Sequence, residues 1–152
     1  MKITVTHETS TGHRLMNYAG KCRHPHGHNY LWQVSIEGRM DDVQQGLLVD
    51  FSDLKGAVRE VLNKFDHAFV LRSDDYALAN WLVDNDHALV VLNVNPTAEN
   101  LAQLVADELR GFLGLRFDVH VTVWETSKNS AEAYGQVDRV IQVIEVRNVP
   151  VI

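Results

Sequence analysis

Cysteine is nearly absent from this chain, and so are long apolar runs and any excess of positive charge. Cys22 is the only cysteine in 152 residues, so no intrachain disulfide can brace the fold. That suits a reducing compartment. Lys and Arg number 14 against 20 Asp and Glu, a formal net charge of −6. A dedicated nucleic-acid binder needs the opposite balance, because it neutralises phosphates with basic side chains. A small anionic ligand stays compatible, since it meets only the local field of its pocket. No apolar run approaches the roughly 20 residues that span a bilayer. The opening MKITVTHETS is polar and alternating, without the apolar stretch of a signal peptide. Repeats, low-complexity tracts and Pro/Gly/Ser linkers are missing, so no internal boundary is drawn. The expectation is one soluble cytoplasmic domain over residues 1–152, of a size that buries most of its apolar surface unaided.

What is present has the patterning of packed secondary structure. A first strand is expected from about Lys2 to Thr9 and a second from about Asn29 to Gly38, where Tyr30, Trp32, Val34 and Ile36 alternate with Asn29, Gln33, Ser35 and Glu37, Leu31 being the exception. Ser52 is expected to cap a first helix whose buried stripe is Leu54, Ala57, Val58, Val61, Leu62 and Phe65. Tyr76 to Val83 reads as a short helix and Ala88 to Leu92 as a short strand. Pro96-Thr97 opens a second long helix with the stripe Ala98, Leu101, Ala102, Val105, Leu109 and Phe112. Phe117, Val119, Val121 and Val123 alternate along a third main strand. A last one is expected from about Gln136 to Arg147, apolar on both parities near Val140 to Ile144, as if its second face were covered by another subunit. The main order β-β-α-α-β-β implies an α+β domain, an antiparallel sheet with helices on one face.

The informative stretch is Lys21-Cys22-Arg23-His24-Pro25-His26-Gly27-His28. On a strand, side chains at i and i+2 share a face, so His26 and His28 can reach one ion. An open catalytic site needs a third protein ligand and keeps a fourth position free. His13 is the best placed candidate. Imidazole-only ligation suits zinc, and also copper, iron and nickel. The alternative is a solvent-exposed, histidine-rich loop. A cupin site also uses His-x-His, but it follows with a glutamate on the same strand; here Trp32 and Gln33 stand there and the first acid is Glu37.

Cys22 lies four residues before His26. Beside a metal and several imidazoles a thiol serves as base or nucleophile; otherwise it is a small buried hydrophobe or a fourth ligand. Asp66 can steady the imidazole of His67, which as a plain alternative merely suits a helix C-terminus. Strand parity turns Glu125 toward the apolar face. A carboxylate there needs partners, and a planar ligand offering two N–H groups, such as a pterin, would supply them. If the strand ends at Trp124, Glu125 is solvated instead.

Together these residues resemble the 6-pyruvoyltetrahydropterin synthase / 6-carboxytetrahydropterin synthase family across nearly the whole chain. The matching pieces are Gly12-His13-Arg14-Leu15, Cys22 to His28, Gly46 to Lys55, Asp66-His67, Pro96 to Ala102, and Glu125-Thr126 with Tyr134. The resemblance implies one zinc per chain on His13, His26 and His28, with Cys22 abstracting protons and Asp66 and His67 as acid/base partners. It implies Glu125 as both anchor and catalytic group for the pterin ring, with Thr97 and Thr126 beside it. It further implies the tunnelling fold, two helices on a four-stranded antiparallel sheet, assembled into homo-oligomers, usually hexamers, with active sites between subunits. Three residues between Cys22 and His26 resemble the queuosine-pathway, 6-carboxy branch.

The implied reaction turns 7,8-dihydroneopterin triphosphate into 6-carboxy-5,6,7,8-tetrahydropterin, releasing acetaldehyde and triphosphate. Internal redox reduces the ring, and no dinucleotide-binding glycine motif is present to hold a nicotinamide. Lys21, Arg23 and Arg14 lie near enough in sequence to meet the triphosphate, or are solvated surface charge. Other readings are the 6-pyruvoyl reaction, an aldolase trimming of neopterin, and a non-catalytic pterin- or metal-binding homologue.

Overall fold

The computed structural model describes residues 1–138 and 140–149. Its strands are β1 (Lys2–His13), β2 (His26–Glu37), β3 (Ala68–Arg72), β4 (Leu89–Leu92), β5 (Asp118–Thr126), β6 (Asn129–Tyr134) and β7 (Val143–Arg147). Its α-helices are α1 (Phe51–Leu62), α2 (Tyr76–Asp84) and α3 (Ala98–Leu113). The strands form one sheet in the order β6-β5-β2-β1-β3-β4-β7.

Three of the four expected main strands pair antiparallel as β5-β2-β1 within a larger, mixed sheet; β6 extends that half, and the expected last strand lies at the far edge as β7. Four strands is therefore an undercount. Residues 68–92 add a strand–helix–strand unit whose strands run parallel to β1, and β7 closes the far edge antiparallel to β4. The short helix and short strand expected over Tyr76–Val83 and Ala88–Leu92 are α2 and β4, and the strands missed are β3 and β6. β3 is five residues long and mostly buried, so it shows no clean alternation. Helices α1 and α3 cover one face over a core that includes Tyr30, Trp32, Val34, Val70, Val90 and Leu101. Helix α2 lies on the other face, where Leu82 meets Leu71, Leu89 and Val91. The expectation of helices on one face thus holds for the two long helices only.

Local chemistry explains other differences. Asp50, not Ser52, caps α1, because its carboxylate accepts the Ser52 amide at 2.7 Å. Phe112 is exposed, and Leu113 packs against the core at the last turn of α3 instead. Strand β1 runs on through Thr9, Thr11 and His13, three buried positions that continue the alternation. The expected last strand from Gln136 to Arg147 crosses Arg139, which lies outside the described residues. Its described strand portion is β7, while the hairpin partner of β5 is the earlier segment β6. Ile141 and Val143 turn toward the main core and Ile144 and Val146 are exposed on the edge strand, which accounts for the mixed parity. Among the described residues no helix is long and apolar enough to cross a membrane.

Candidate active site

Strand register builds the histidine cluster. His13 and His26 are direct cross-strand partners at the end of the β1–β2 ladder, and His28, paired with Thr11, lies two residues along on the same face. One ring nitrogen from each histidine falls within 4.8 Å of those of the other two. Gly27, between His26 and His28, sits over the β1 backbone, where an added Cβ would come within 3.1 Å of the Thr11 carbonyl oxygen.

The outer ring nitrogens set the tautomers. His13 Nδ1 donates to the Pro96 carbonyl at 2.8 Å and His26 Nδ1 to the His24 carbonyl at 2.8 Å. Carbonyls only accept, so both Nε2 atoms are left as bare lone pairs. Those two atoms face each other at 3.1 Å. His28 Nε2 is buried without a hydrogen-bond partner. Two facing acceptors with an unpartnered ring nitrogen beside them are costly alone, and a shared cation would satisfy all three. The donor set fits a metal. Burial is the main cause holding His13 and His28 below the usual histidine pKa; for both the neighbouring imidazoles add to it and the Glu125 carboxylate opposes it. The Pro96 hydrogen bond also opposes it at His13. Neutral imidazole is the metal-binding form.

Glu125 sits where the pairing of β5 with β6 shifts between Trp124 and Thr126. A bulge of this kind re-aims a side chain. Its Oε1 lies 3.7 Å from both His13 Nε2 and His28 Nε2. Tyr30, fully buried, donates to the same oxygen at 3.3 Å. Burial, then the Glu125 carboxylate, pushes the Tyr30 phenol well above its usual range, so it remains a donor. A cavity of about 310 Å³ is walled by His13, Cys22, Thr97, Glu125, Asn129 and Ser130 among others. Cys22 is half-buried on a short 3₁₀ turn, Lys21–Arg23. Thr97 caps α3, its hydroxyl accepting the Asn100 amide at 3.3 Å.

Asp66 and His67 are elsewhere. They follow a 3₁₀ turn, Asn63–Phe65, rather than ending α1, and His67 takes a positive φ of 54° on entering β3. The pair is clamped to β1: the Ser10 amide donates to Asp66 Oδ1 at 2.8 Å, and the His67 amide donates to the Ser10 carbonyl at 2.7 Å. Asp66 Oδ2 holds His67 Nδ1 at 3.0 Å. Burial opposes the Asp66 charge, but the Ser10 amide and His67 outweigh it and hold the carboxyl below its usual pKa. The His67 side chain is 74% exposed. It opens onto a different hollow of about 620 Å³, with Ser10, Gly12, His28, Asn29 and Phe69, so one histidine of the cluster borders it. Within one chain, then, the acid/base pair does not share the cavity of Cys22.

Thr126 also lies apart. Its hydroxyl accepts the Lys128 and Asn129 amides at 3.2 Å in the β5–β6 turn, and it borders a small surface hollow with Leu31 and Trp124. Arg14 forms an ion pair with Asp75, which is buried, so it is not a free cation. Sequence reasoning took Tyr30 only as a core strand residue and passed over Asn129 and Ser130. The alternation through Tyr30 beside two inward histidines was the available signal for the first; nothing local marked the hairpin strand.

A three-histidine cluster beside a cavity that holds a thiol and a carboxylate, at the end of the antiparallel half of a sheet backed by two long helices, defines a candidate metal site in a protein of α+β class. The model of the 6-pyruvoyl tetrahydropterin synthase family matches residues 2–136, and the chain belongs to that family. It is 40% identical over 119 residues to a probable 6-carboxy-5,6,7,8-tetrahydropterin synthase of Halobacterium salinarum, covering 77% of this chain and 75% of that one. To the 6-carboxy-5,6,7,8-tetrahydropterin synthase of Haemophilus influenzae it is 29% identical over 137 residues, 86% of this chain and 96% of that one. The fold is shared with an uncharacterized protein of Wolinella succinogenes, at TM-score 0.75 and 23% identity over 90% of this chain and 98% of that one. It is shared too with the 6-pyruvoyl tetrahydropterin synthase of Caenorhabditis elegans, at TM-score 0.67 and 24% identity over 90% and 96%.

Proposed function

We propose that the chain is a zinc-dependent 6-carboxy-5,6,7,8-tetrahydropterin synthase, converting 7,8-dihydroneopterin triphosphate with release of acetaldehyde and triphosphate in the queuosine precursor route. The observation that carries this reading is the convergence of His13, His26 and His28 beside a cavity that also holds Cys22 and Glu125. The relatives named for the 6-carboxy reaction support the branch.

His13, His26 and His28 would hold the zinc ion, which when bound supplies Lewis-acid polarisation of the substrate's side-chain hydroxyls. Glu125, with Oε1 held by Tyr30, accepts the ring's 2-amino and N3 hydrogens and orients the pterin. Cys22 takes the proton from the side-chain carbon next to the ring. His67, oriented by Asp66, returns protons to the cleaved side chain.

Because His67 and Cys22 face different cavities, the site is completed by a second copy of the chain, whose Asp66–His67 pair enters the Cys22 cavity. Two open sheet edges support a homo-oligomer. Among the described residues no strand pairs with β1 on its β3 side from Lys2 to Ser10, and β6 has no outer neighbour. The same reading puts the working enzyme in the cytoplasm as one folded domain per subunit.

Incubating the zinc-loaded protein with dihydroneopterin triphosphate and determining product mass tests the proposal. Acetaldehyde with the 6-carboxy product supports it. A product retaining three side-chain carbons assigns the 6-pyruvoyl reaction, cleavage without ring reduction an aldolase, and unchanged substrate a binding protein.

A further inference from the structure

The segment Asn95-Pro96-Thr97 does three things within three residues. Thr97 caps α3 at the cavity wall. The Pro96 carbonyl orients His13 by accepting Nδ1–H at 2.8 Å. Asn95 lies just before both, and its side chain makes two hydrogen bonds to a single residue of the loop after β1. Asn95 Oδ1 accepts the Met16 amide at 2.9 Å, and Asn95 Nδ2 donates to the Met16 carbonyl at 3.0 Å. The amide thus imitates one rung of a β-ladder. That pairing also fixes its orientation, because only the oxygen can accept from an N–H.

The clasp reaches Cys22 through one neighbour. Leu15, beside Met16, donates its amide to the Cys22 carbonyl at 2.8 Å, closing the base of the loop between residues 15 and 22. The Asn95 backbone is itself held. Its carbonyl accepts from Asn100 Nδ2 at 2.8 Å and from the Thr97 amide at 2.9 Å, tying it to the first turn of α3. Cys22 and the metal-side imidazole of His13 are therefore both referred to one rigid point at the start of a sixteen-residue helix.

We propose that Asn95 is a positioning residue that sets Cys22 relative to the His13 ring, acting through Met16 and Leu15 on one side and through Pro96 on the other. The inference rests on the reading of Cys22 and the three histidines as working groups. The positioning itself is observable without turnover. Cys22 is the only thiol in the chain, so its alkylation rate reports its own surroundings. The affinity for zinc reports the orientation of His13, because losing an outer-shell partner of a metal-binding histidine typically costs about 10–100-fold.

The test compares wild type with Asn95→Ala and Asn95→Asp. The second keeps an acceptor for the Met16 amide and loses the donor to the Met16 carbonyl. Lys64→Ala, which breaks the ion pair with Glu108 between the short turn after α1 and helix α3, controls for loss of stability alone. Alkylation by iodoacetamide is followed well below each variant's melting temperature, in zinc-free and zinc-loaded protein, and zinc affinity by competition with a chromophoric chelator.

The expected result is a several-fold change in Cys22 alkylation rate with about tenfold weaker zinc binding in Asn95→Ala. Smaller shifts in the same direction are expected in Asn95→Asp, and neither in Lys64→Ala. Turnover in the Asn95 variants should fall mainly in kcat. If Asn95→Ala lowers only the melting temperature, or if Lys64→Ala reproduces its effects, Asn95 is a stabilising residue and the proposal fails. Should Asn95→Ala not fold, Asn95→Asp decides by the same two readouts. Absence of 6-carboxy product with wild type would remove the proposed function, and alkylation and zinc affinity would still decide the role of Asn95.

Discussion

The two halves of the sheet differ in what they bury. At the open end of β1, β2 and β5 the interior holds imidazoles, a phenol and a carboxylate, with His28 Nε2 left unpartnered. Across β3, β4 and α2 it holds Leu71, Leu82, Leu89 and Val91. Buried polar groups cost free energy unless partners satisfy them, while buried leucines each contribute about 1.5–3 kcal/mol to folding. On the proposed function one region carries chemistry at the expense of stability, and the other stability alone. Substitutions in the two should separate turnover from folding.

The largest separation is expected at Cys22. Cys22→Ala should lower turnover by at least the ~10²–10⁴-fold typical of a general acid or base, with zinc near one per chain and an unchanged melting curve. Loss of zinc in that variant would make the thiol a ligand and undo its role. Leu82→Ala should do the reverse. Filling no part of the space left under α2, it should cost about 2–5 kcal/mol of stability by denaturant unfolding, with zinc stoichiometry unchanged.

Tyr30 lies on the boundary, a core residue whose hydroxyl meets Glu125 at 3.3 Å and the His13 ring nitrogens at 3.4 Å. Tyr30→Phe should leave folding and zinc content largely intact and weaken binding of a non-reacting pterin about tenfold, the equivalent of roughly 1.4 kcal/mol. Pterin fluorescence quenching reads this, and unchanged affinity would mean that the phenol does not set Glu125.

The smallest effect concerns Asp66. Its folded carboxyl pKa is held below the ordinary aspartate value of 3.8, so its contribution to stability is present above that pH and is lost as pH falls through the folded value. Asp66→Asn should melt lower than wild type at pH 6, and the gap should narrow and close as pH falls from 3.8 through the folded value. A gap independent of pH would show that the charge contributes nothing.

The antiparallel half was legible because its strands bury one face and alternate, and because His13, His26 and His28 sit at spacings that sheet register converts directly into a cluster. In the parallel half α2 and β4 were legible near their observed bounds, but β3 was not, since Ala68 to Arg72 is short, mostly buried and carries no clean period. Strand β6, with small and polar residues Asn129 to Ala133, resembles a loop in sequence and becomes a strand only through β5. Parity turned Glu125 inward, but the bulge and the Tyr30 hydroxyl that fix it are tertiary. The separation of His67 from Cys22 depends on which hollow each faces, and residue spacing does not encode that.

X-ray absorption at the zinc edge of the loaded wild-type protein tests the central claim most directly. Three imidazoles with the thiol free predict only nitrogen and oxygen neighbours near about 2.0–2.1 Å. A sulfur at about 2.3 Å would contradict the account by making Cys22 part of the metal site rather than the group that works beside it.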